Sequence, residues 1–260
     1  MPYFNGHRDR VYYRAWNAEK PCGQVLLLHG FGEHTGHYHR LAHCLTAQQY
    51  DVFGPDHLGH GHTGGAKPGH YPSVDELAEN AALLVERMEA ERPGLPVAIV
   101  GHSLGALTGA LLAISNPDRW AGLVMTGAPL WGLPKEAAGQ TDLIMSEDEA
   151  YLDALDNDPL AFDTAAAEDN LWATISVAGC KVRASLPALS MPTLLINGEN
   201  DVFAPADRAR RFASELLRGR AVTIPGGYHD IPNDRSHHEV ARVVIAALNE
   251  WCTTSSAPSR

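Results

Sequence analysis

One serine in the chain stands between glycines two residues to either side, in Gly101-His102-Ser103-Leu104-Gly105. A serine hydroxyl attacks a carbonyl only when a neighbouring base takes its proton and donors await the oxyanion that forms. The flanking glycines permit the tight strand-to-helix turn that exposes such a hydroxyl. The apolar run Val97–Val100 precedes the turn. Leu104–Ile114 follows it with Ala106, Gly109, Ala110 and Ala113 at positions suited to close packing, and Pro117 ends the helix. The matching acid and base are expected further along, in that order, in loops after strands. Asp201 lies in Asn197-Gly198-Glu199-Asn200-Asp201 after the run Thr193–Ile196, and His229 in Pro225-Gly226-Gly227-Tyr228-His229 after a run ending at Ile224. Glu199 is a rival acid that reads better as a solvated loop carboxylate. His237 and His238 are rival bases that read better as exposed residues at a helix start. For the oxyanion, Leu104 offers an amide at a helix N-terminus. Phe31, in Leu26-Leu27-Leu28-His29-Gly30-Phe31-Gly32, offers a second from the loop after an early strand.

Fourteen histidines raise the question of a metal, above all in Asp56-His57-Leu58-Gly59-His60-Gly61-His62. A metallohydrolase pattern H-x-H-x-D-H would need Asp-His after His62, where Thr63-Gly64 stand. Neither metal nor cofactor is expected. Cys22, Cys44, Cys180 and Cys252 show no C-x-x-C spacing, so no disulfide framework or zinc ribbon is indicated. Cys44 and Cys180 read as small apolar packers.

The elements that must position these groups alternate in type. Tyr12–Trp16, Val25–Leu28, Val52–Phe53, Val97–Val100, Leu123–Met125, Thr193–Ile196 and Ala221–Ile224 read as strands. Several are continuously apolar, as in a parallel sheet covered on both faces. Between them, Tyr38, Leu41, Ala42 and Leu45 share a helical face, as do Leu77, Leu84, Val85 and Met88 after the capping pattern Ser73-Val74-Asp75-Glu76. Phe212, Leu216 and Leu217 form a third stripe, and Val240, Val243, Val244, Ala247 and Leu248 a fourth. The alternation predicts an α/β fold with right-handed crossovers.

It stops between about Trp131 and Ala188, where helical patterns appear around Leu143–Met145, Tyr151–Leu155 and Leu171–Val177. The expected organisation is a core of residues 1–130 and 189–252, a helical insertion of residues 131–188, and a disordered tail over residues 253–260. From Pro134 to Asn170 the insertion carries eleven acidic residues against Lys135 alone, a net charge of −10 in a chain of −11.

That charge argues against nucleic-acid partners, which need basic clusters. The uncharged stretch Pro93–Pro117 is long enough to span a bilayer on paper, but Gly101 to Gly105 divide it into two short elements. The N-terminus lacks an apolar signal region, so a cytoplasmic protein without membrane insertion is expected. A small-molecule partner is expected, and a homodimer is left open.

Five segments together resemble the α/β-hydrolases of the monoacylglycerol lipase and lysophospholipase group. They are His29-Gly30-Phe31-Gly32-Glu33-His34-Thr35-Gly36, Asp56-His57-Leu58-Gly59-His60-Gly61, the Ser103 turn, and the loops of Asp201 and His229. The resemblance runs from about residue 10 to residue 250. Asn157-Asp158-Pro159-Leu160 also resembles a segment these enzymes share. The resemblance implies an eight-stranded, mostly parallel sheet flanked by helices, with a helical cap after the sixth strand and over an acyl pocket. It implies Ser103, Asp201 and His229 as a triad, with the Phe31 and Leu104 amides as the oxyanion hole. Candidate pocket residues are His29, Gly30, His102, Trp131, Met145, Trp172, Ile175 and Val202. The chain departs from the group at His37, where animal members tend to carry Arg, and at His39, usually acidic. It departs again at Leu104-Gly105-Ala106-Leu107, where many have Met-Gly-Gly.

The leading expectation is a serine esterase that acts on a carboxylic ester with a neutral alcohol part through an acyl-enzyme. A lactonase on the same residues, and a ligand-binding receptor with little turnover, are the alternatives. Dehalogenase and epoxide-hydrolase chemistry would need an Asp at position 103. Prolyl aminopeptidases usually carry Trp where Leu104 stands.

Overall fold

The computed structural model describes residues 2–132 and 143–254. Eight strands form one sheet: β1 (Tyr3–Asn5), β2 (Arg10–Trp16), β3 (Gly23–Leu28), β4 (Tyr50–Pro55), β5 (Val97–His102), β6 (Gly122–Thr126), β7 (Thr193–Gly198) and β8 (Gly219–Ile224). Their order across the sheet is β1-β2-β4-β3-β5-β6-β7-β8. Only β2 runs against its neighbours. Every residue of β3 to β7 is buried, which is why these runs lack an alternation of apolar and polar residues. The period of two survives as a choice of layer. Leu26, Leu28, Ile99 and Met125 face one hydrophobic cluster, while Val25, Leu27, Ala98, Val100 and Val124 face the other.

Each layer is completed by helices. The first receives α2 (Val74–Glu91), α3 (Leu104–Ser115) and α6 (Ala206–Glu215). The second receives α1 (His39–Ala47) and α7 (His237–Thr254). At the start of α2 the Ser73 hydroxyl accepts the Glu76 amide at 3.2 Å, as the capping pattern predicts, but the Glu76 carboxylate turns to Arg8 at 2.8 Å. Leu77, Leu84, Val85 and Met88 of α2 are buried, each contributing about 1.5–3 kcal/mol. The uncharged stretch around residue 100 resolves into β5 and α3, and among the described residues no helix is long and apolar enough to cross a membrane.

Between β6 and β7 the described residues contain helices and no strand: α4 (Glu149–Asp156), α5 (Glu168–Ser185) and two short 3-10 turns. Leu171, Ile175, Ala178 and Val182 of α5 join the same cluster as α3, so this segment packs directly on the first layer. Residues 133–142 of it, with two of its eleven acidic residues, lie outside the described residues.

Three local expectations are corrected. Leu143–Met145 is not helical, and tertiary partners take the polar groups at its end and just beyond it. The Asp230 amide donates to Met145 O at 2.8 Å, and Asp234 accepts the Ser146 hydroxyl and the Glu147 amide. Leu217 lies beyond the end of α6 and is exposed. Thr253 and Thr254, expected in a disordered tail, end α7, and the remainder of that tail lies outside the described residues.

The strand order reverses at β3, with β4 on one side and β5 on the other. Open parallel sheets bind ligands at the carboxyl ends of the strands where this reversal occurs. Here Leu28 pairs with Gly101 and His102 with Thr126, so the chain leaves β3, β5 and β6 side by side at that edge.

Candidate active site

Ser103 sits between β5 and α3 with φ +49° and ψ −114°, one of two non-glycine residues at positive φ among those described. Such a backbone costs about 1–3 kcal/mol and must be held by its surroundings. They hold it closely. A Cβ on Gly101 would collide with the Gly105 carbonyl, and a Cβ on Gly105 with the Leu28 carbonyl, so β5, α3 and β3 meet with no room for side chains.

The hydroxyl of Ser103 lies 3.0 Å from His229 Nε2. On the other side of that ring, Nδ1 lies 3.0 Å from both Asp201 oxygens. Asp201 Oδ1 also accepts the amides of Phe203 and Ala204 at 2.9 Å, which fixes the carboxylate after β7. Residues that span 126 positions of the sequence thus form one line, Ser103–His229–Asp201.

Electrostatics separates His229 from the other buried histidines. In His29, His57, His60 and His229 burial acts to lower the pKa. For His229 the adjoining Asp201 carboxylate, its hydrogen bond, and the charges of Asp230 and Glu33 outweigh burial and raise the pKa. For Asp201, burial acts upward, but His229 and the Ala204 amide hold the carboxyl below its usual value. The hydrogen bonds of His29, His57 and His60 go to backbone groups, and burial pushes His57 down to about 3 and His60 to about 4, where it outweighs the nearby charges of Asp56 and Glu33. These three satisfy backbone groups: His29 Nδ1 donates to Gly30 O, its Nε2 accepts the His57 amide, His57 Nε2 donates to His29 O, and His60 Nδ1 donates to Leu58 O. Their role is to shape the loop after β3.

That loop lies against the serine. A Cβ on Gly30 would stand 3.4 Å from Ser103 Cβ and 2.6 Å from Glu33 Oε2. Glu33 is buried and gathers its own loop: Oε2 accepts the Gly30 amide at 2.8 Å and the Tyr38 hydroxyl at 2.5 Å. Its Oε1 accepts the hydroxyl of Tyr151, from α4, at 2.9 Å. Burial raises the Glu33 pKa, but His102, His37 and the two tyrosine hydroxyls bring it below the usual value. The Tyr151 hydroxyl also lies 3.2 Å from Asp230, whose other oxygen is 3.4 Å from His102 Nε2. Leu104 opens α3, so its amide has no acceptor within the helix.

A cavity of about 390 Å³ opens over Ser103. Of the residues expected in it, Gly30, His102, Met145, Trp172 and Ile175 line the wall, together with Phe31, Ser103 and His229. Three do not. His29 lies beneath the loop, committed to backbone hydrogen bonds. Trp131 is 39% exposed and packs edge-on against Phe212, with the Arg183 guanidinium over its ring. Val202 is 36% exposed, because the turn capped by Asp201 sends the next side chain inward instead. That side chain, Phe203, stacks on Trp172 with ring centroids 5.8 Å apart and meets the His229 ring at 5.1 Å. Sequence reasoning passed over Phe203, Glu33, Tyr151 and Asp230. Glu33 belongs to the His29–Gly36 motif and Asp230 adjoins His229, so both carried a signal in the sequence. Tyr151 and Phe203 carried none.

The rest of the lining is mostly apolar, with Pro129, Leu155 and Leu171 beside Met145, Ile175 and the two stacked rings. Glu33, Tyr151, Asp230 and His102 supply its polar groups. No lysine or arginine among the described residues lines it. Among the described residues, two groups bring metal-ligating atoms together. One, His102, His229 and Asp230, belongs to this site, and the other is His34, His37 and Asp158.

Comparison with known proteins agrees with this architecture. Human monoglyceride lipase is 26% identical over 280 residues, covering 97% of this chain and 90% of that one. The monoacylglycerol lipase of Mycolicibacterium smegmatis is 28% identical over 265 residues, covering 93% and 92%. The crystal structure of the Paleococcus ferrophilus monoacylglycerol lipase is similar with a TM-score of 0.77 at 25% identity, covering 95% of this chain and 99% of that one. The family model described as serine aminopeptidase, S33, matches residues 19–236. With the sheet order and the strand-to-helix turn at Ser103, that match makes the chain a member of this serine aminopeptidase S33 family of α/β-hydrolases.

Proposed function

We propose that the protein is a serine hydrolase that cleaves a carboxylic ester with a neutral alcohol part through an acyl-enzyme. The observation that carries this reading is the Ser103–His229–Asp201 line at 3.0 Å spacing beneath a mostly apolar cavity. Ser103 Oγ attacks the ester carbonyl while its proton passes to His229 Nε2. The Phe31 and Leu104 amides receive the oxyanion. His229 returns the proton to the leaving alcohol, the acyl group stays on Ser103, and water activated by the same imidazole releases the acid. Asp201 keeps the His229 proton on Nδ1 and stabilises the imidazolium. No cofactor enters any step.

The acyl chain belongs in the apolar part of the cavity, between Trp172, Ile175 and Met145. Residues 131–188 then act as a cap on the core formed by residues 1–130 and 189–252. The cap's net charge of −10 between Pro134 and Asn170 disfavours anionic substrates and anionic lipid surfaces. The long relatives named as monoacylglycerol lipases support the ester reading, and the cavity volume suits a single acyl chain.

The test combines labelling and turnover. A fluorophosphonate probe should label the wild-type chain and leave Ser103→Ala unlabelled, and hydrolysis of p-nitrophenyl esters should disappear in the same variant. Labelling that survives in Ser103→Ala would refute the assignment. A chain-length series run beside a monoacylglycerol and a lactone then defines the ester class.

A further inference from the structure

Away from the serine, two histidines and an aspartate converge. His34 caps a short 3-10 turn (Thr35–Tyr38) that follows the Phe31 loop, and His37 lies within it. Asp158 comes from the segment after α4. Both imidazoles turn Nε2 to a single carboxylate oxygen: Asp158 Oδ2 lies 2.9 Å from His34 and 3.0 Å from His37. Their ring centroids are 4.1 Å apart, and the three side chains are only 8–11% exposed. We propose that His34, His37 and Asp158 form a binding site for a divalent transition-metal ion, of which zinc is the type.

The donor set selects the class of ion. Two imidazole nitrogens and one carboxylate oxygen suit zinc, cobalt, nickel or copper, whereas magnesium and calcium favour sites built of oxygen. Geometry requires little change. An ion about 2.0–2.1 Å from each ligand in tetrahedral coordination separates the ligands by about 3.3 Å. The two Asp158 contacts therefore lengthen by about 0.3–0.4 Å. The fourth position is left to water.

The carboxylate is oriented by its surroundings, and both imidazoles must exchange the proton on Nε2 for the ion. Asp158 Oδ1 accepts the Leu160 amide at 2.9 Å, which orients the carboxylate and leaves Oδ2 for the ion. His37 Nδ1 is buried without a hydrogen-bond partner, so Asp158 Oδ2 alone holds the ring proton on Nε2 in the metal-free chain, and coordination moves that proton to Nδ1. At His34 the Gly36 amide donates to Nδ1 at 2.9 Å, which places the proton on Nε2 in the metal-free chain. Coordination moves that proton to Nδ1 and releases the Gly36 amide, so His34 remains neutral and the ion takes the proton's place. The nine acidic residues within residues 143–170, Asp158 among them, draw cations to this segment. Occupancy would tie the segment between β6 and β7 to the loop that carries Phe31.

The test uses the full chain without an affinity tag, stripped of metal with a chelator. Titration with Zn²⁺ against a chromophoric chelator should give one tight equivalent, and Co²⁺ should give a visible ligand-field spectrum. His37→Ala and Asp158→Asn should each weaken Zn²⁺ binding by about a hundredfold and abolish the Co²⁺ spectrum. At free Zn²⁺ about a hundredfold above Kd, the Tm of the wild-type chain should rise by about 5 °C or more, and that of the variants should not. His37→Gln replaces His37→Ala if the smaller side chain prevents folding, as judged by circular dichroism. Equal binding by wild type and either folded variant overturns the proposal, as does wild-type binding only at millimolar Zn²⁺. Every readout is the metal or the fold, so the outcome stands apart from the ester reading.

Discussion

Replacing Asp201 by Asn tests the electrostatic account of the base most directly. His229 accepts the Ser103 proton only as neutral imidazole, and its pKa is raised above the ordinary value of 6.5. Hydrolysis should therefore fall as pH drops through that raised value, with an acid limb of kcat/KM above pH 6.5. Burial pulls the pKa down, so the upward shift depends on carboxylate charge, with Asp201 the foremost source. Opposite charges about 4 Å apart attract by about 4 kcal/mol at an effective dielectric constant of about 20, and about 1.4 kcal/mol corresponds to one pH unit. Part of that attraction offsets desolvation, so Asp201→Asn should move the acid limb down by about 1–2 units. The amide also loses the acceptor that keeps the His229 proton on Nδ1, and the plateau should fall by about 10⁴-fold. Asp230→Asn separates the two effects. Asp230 adds charge near His229 without bonding to Nδ1, so its limb should move down by less than about one unit with the plateau little changed. The assay is kcat/KM for a soluble p-nitrophenyl ester between pH 5 and 10. An Asp201→Asn limb that stays in place or moves upward would refute the reasoning.

Other perturbations follow from the packing of the site. Gly105→Ala forces a methyl into the Leu28 carbonyl, and with backbone on both sides no rotamer relieves it. Chemical denaturation should show a loss of about 1–3 kcal/mol or more. Trp172→Ala removes the ring stacked on Phe203 in the cavity wall, so KM for long-chain p-nitrophenyl esters should rise about tenfold while short-chain esters change little. Equal effects on both chain lengths would place the acyl group elsewhere. Neutral vesicles carrying ester substrate should be hydrolysed faster than anionic vesicles of the same ester content. Added salt should narrow the gap, because the repulsion from the acidic segment is screened.

Much of the fold is legible in the amino-acid sequence because its signals are local. Continuous apolar runs mark the buried strands, helical stripes mark α1, α2 and α7, and Ser73 caps α2 as its spacing implies. Gly101 and Gly105 are required where strand and helix meet, so the serine turn is written into neighbouring residues. The loops of Asp201 and His229 are legible for the same reason: each follows a strand, and strand ends are where such sheets gather their chemistry. The five motif segments carry the family as well, and the match over residues 19–236 agrees with them.

What the sequence did not contain was the answer to questions of direction and distant pairing. Val202 and Phe203 are adjacent apolar residues after Asp201. Which one enters the cavity depends on the turn that the Asp201 carboxylate caps. Leu143–Met145 has a helical pattern but gives it up where Asp230 takes the Met145 carbonyl and Asp234 takes Ser146 and Glu147, partners more than eighty residues away. The His29–Gly36 motif pointed to chemistry, yet His29 serves the backbone while Glu33 holds the loop and meets Tyr151 from α4. A local spacing fixes what a residue can do, since propensity and capping act within a turn or two. Which residues share a cavity, and what charge surrounds an imidazole, are set by contacts between segments that only the packed sheet brings together.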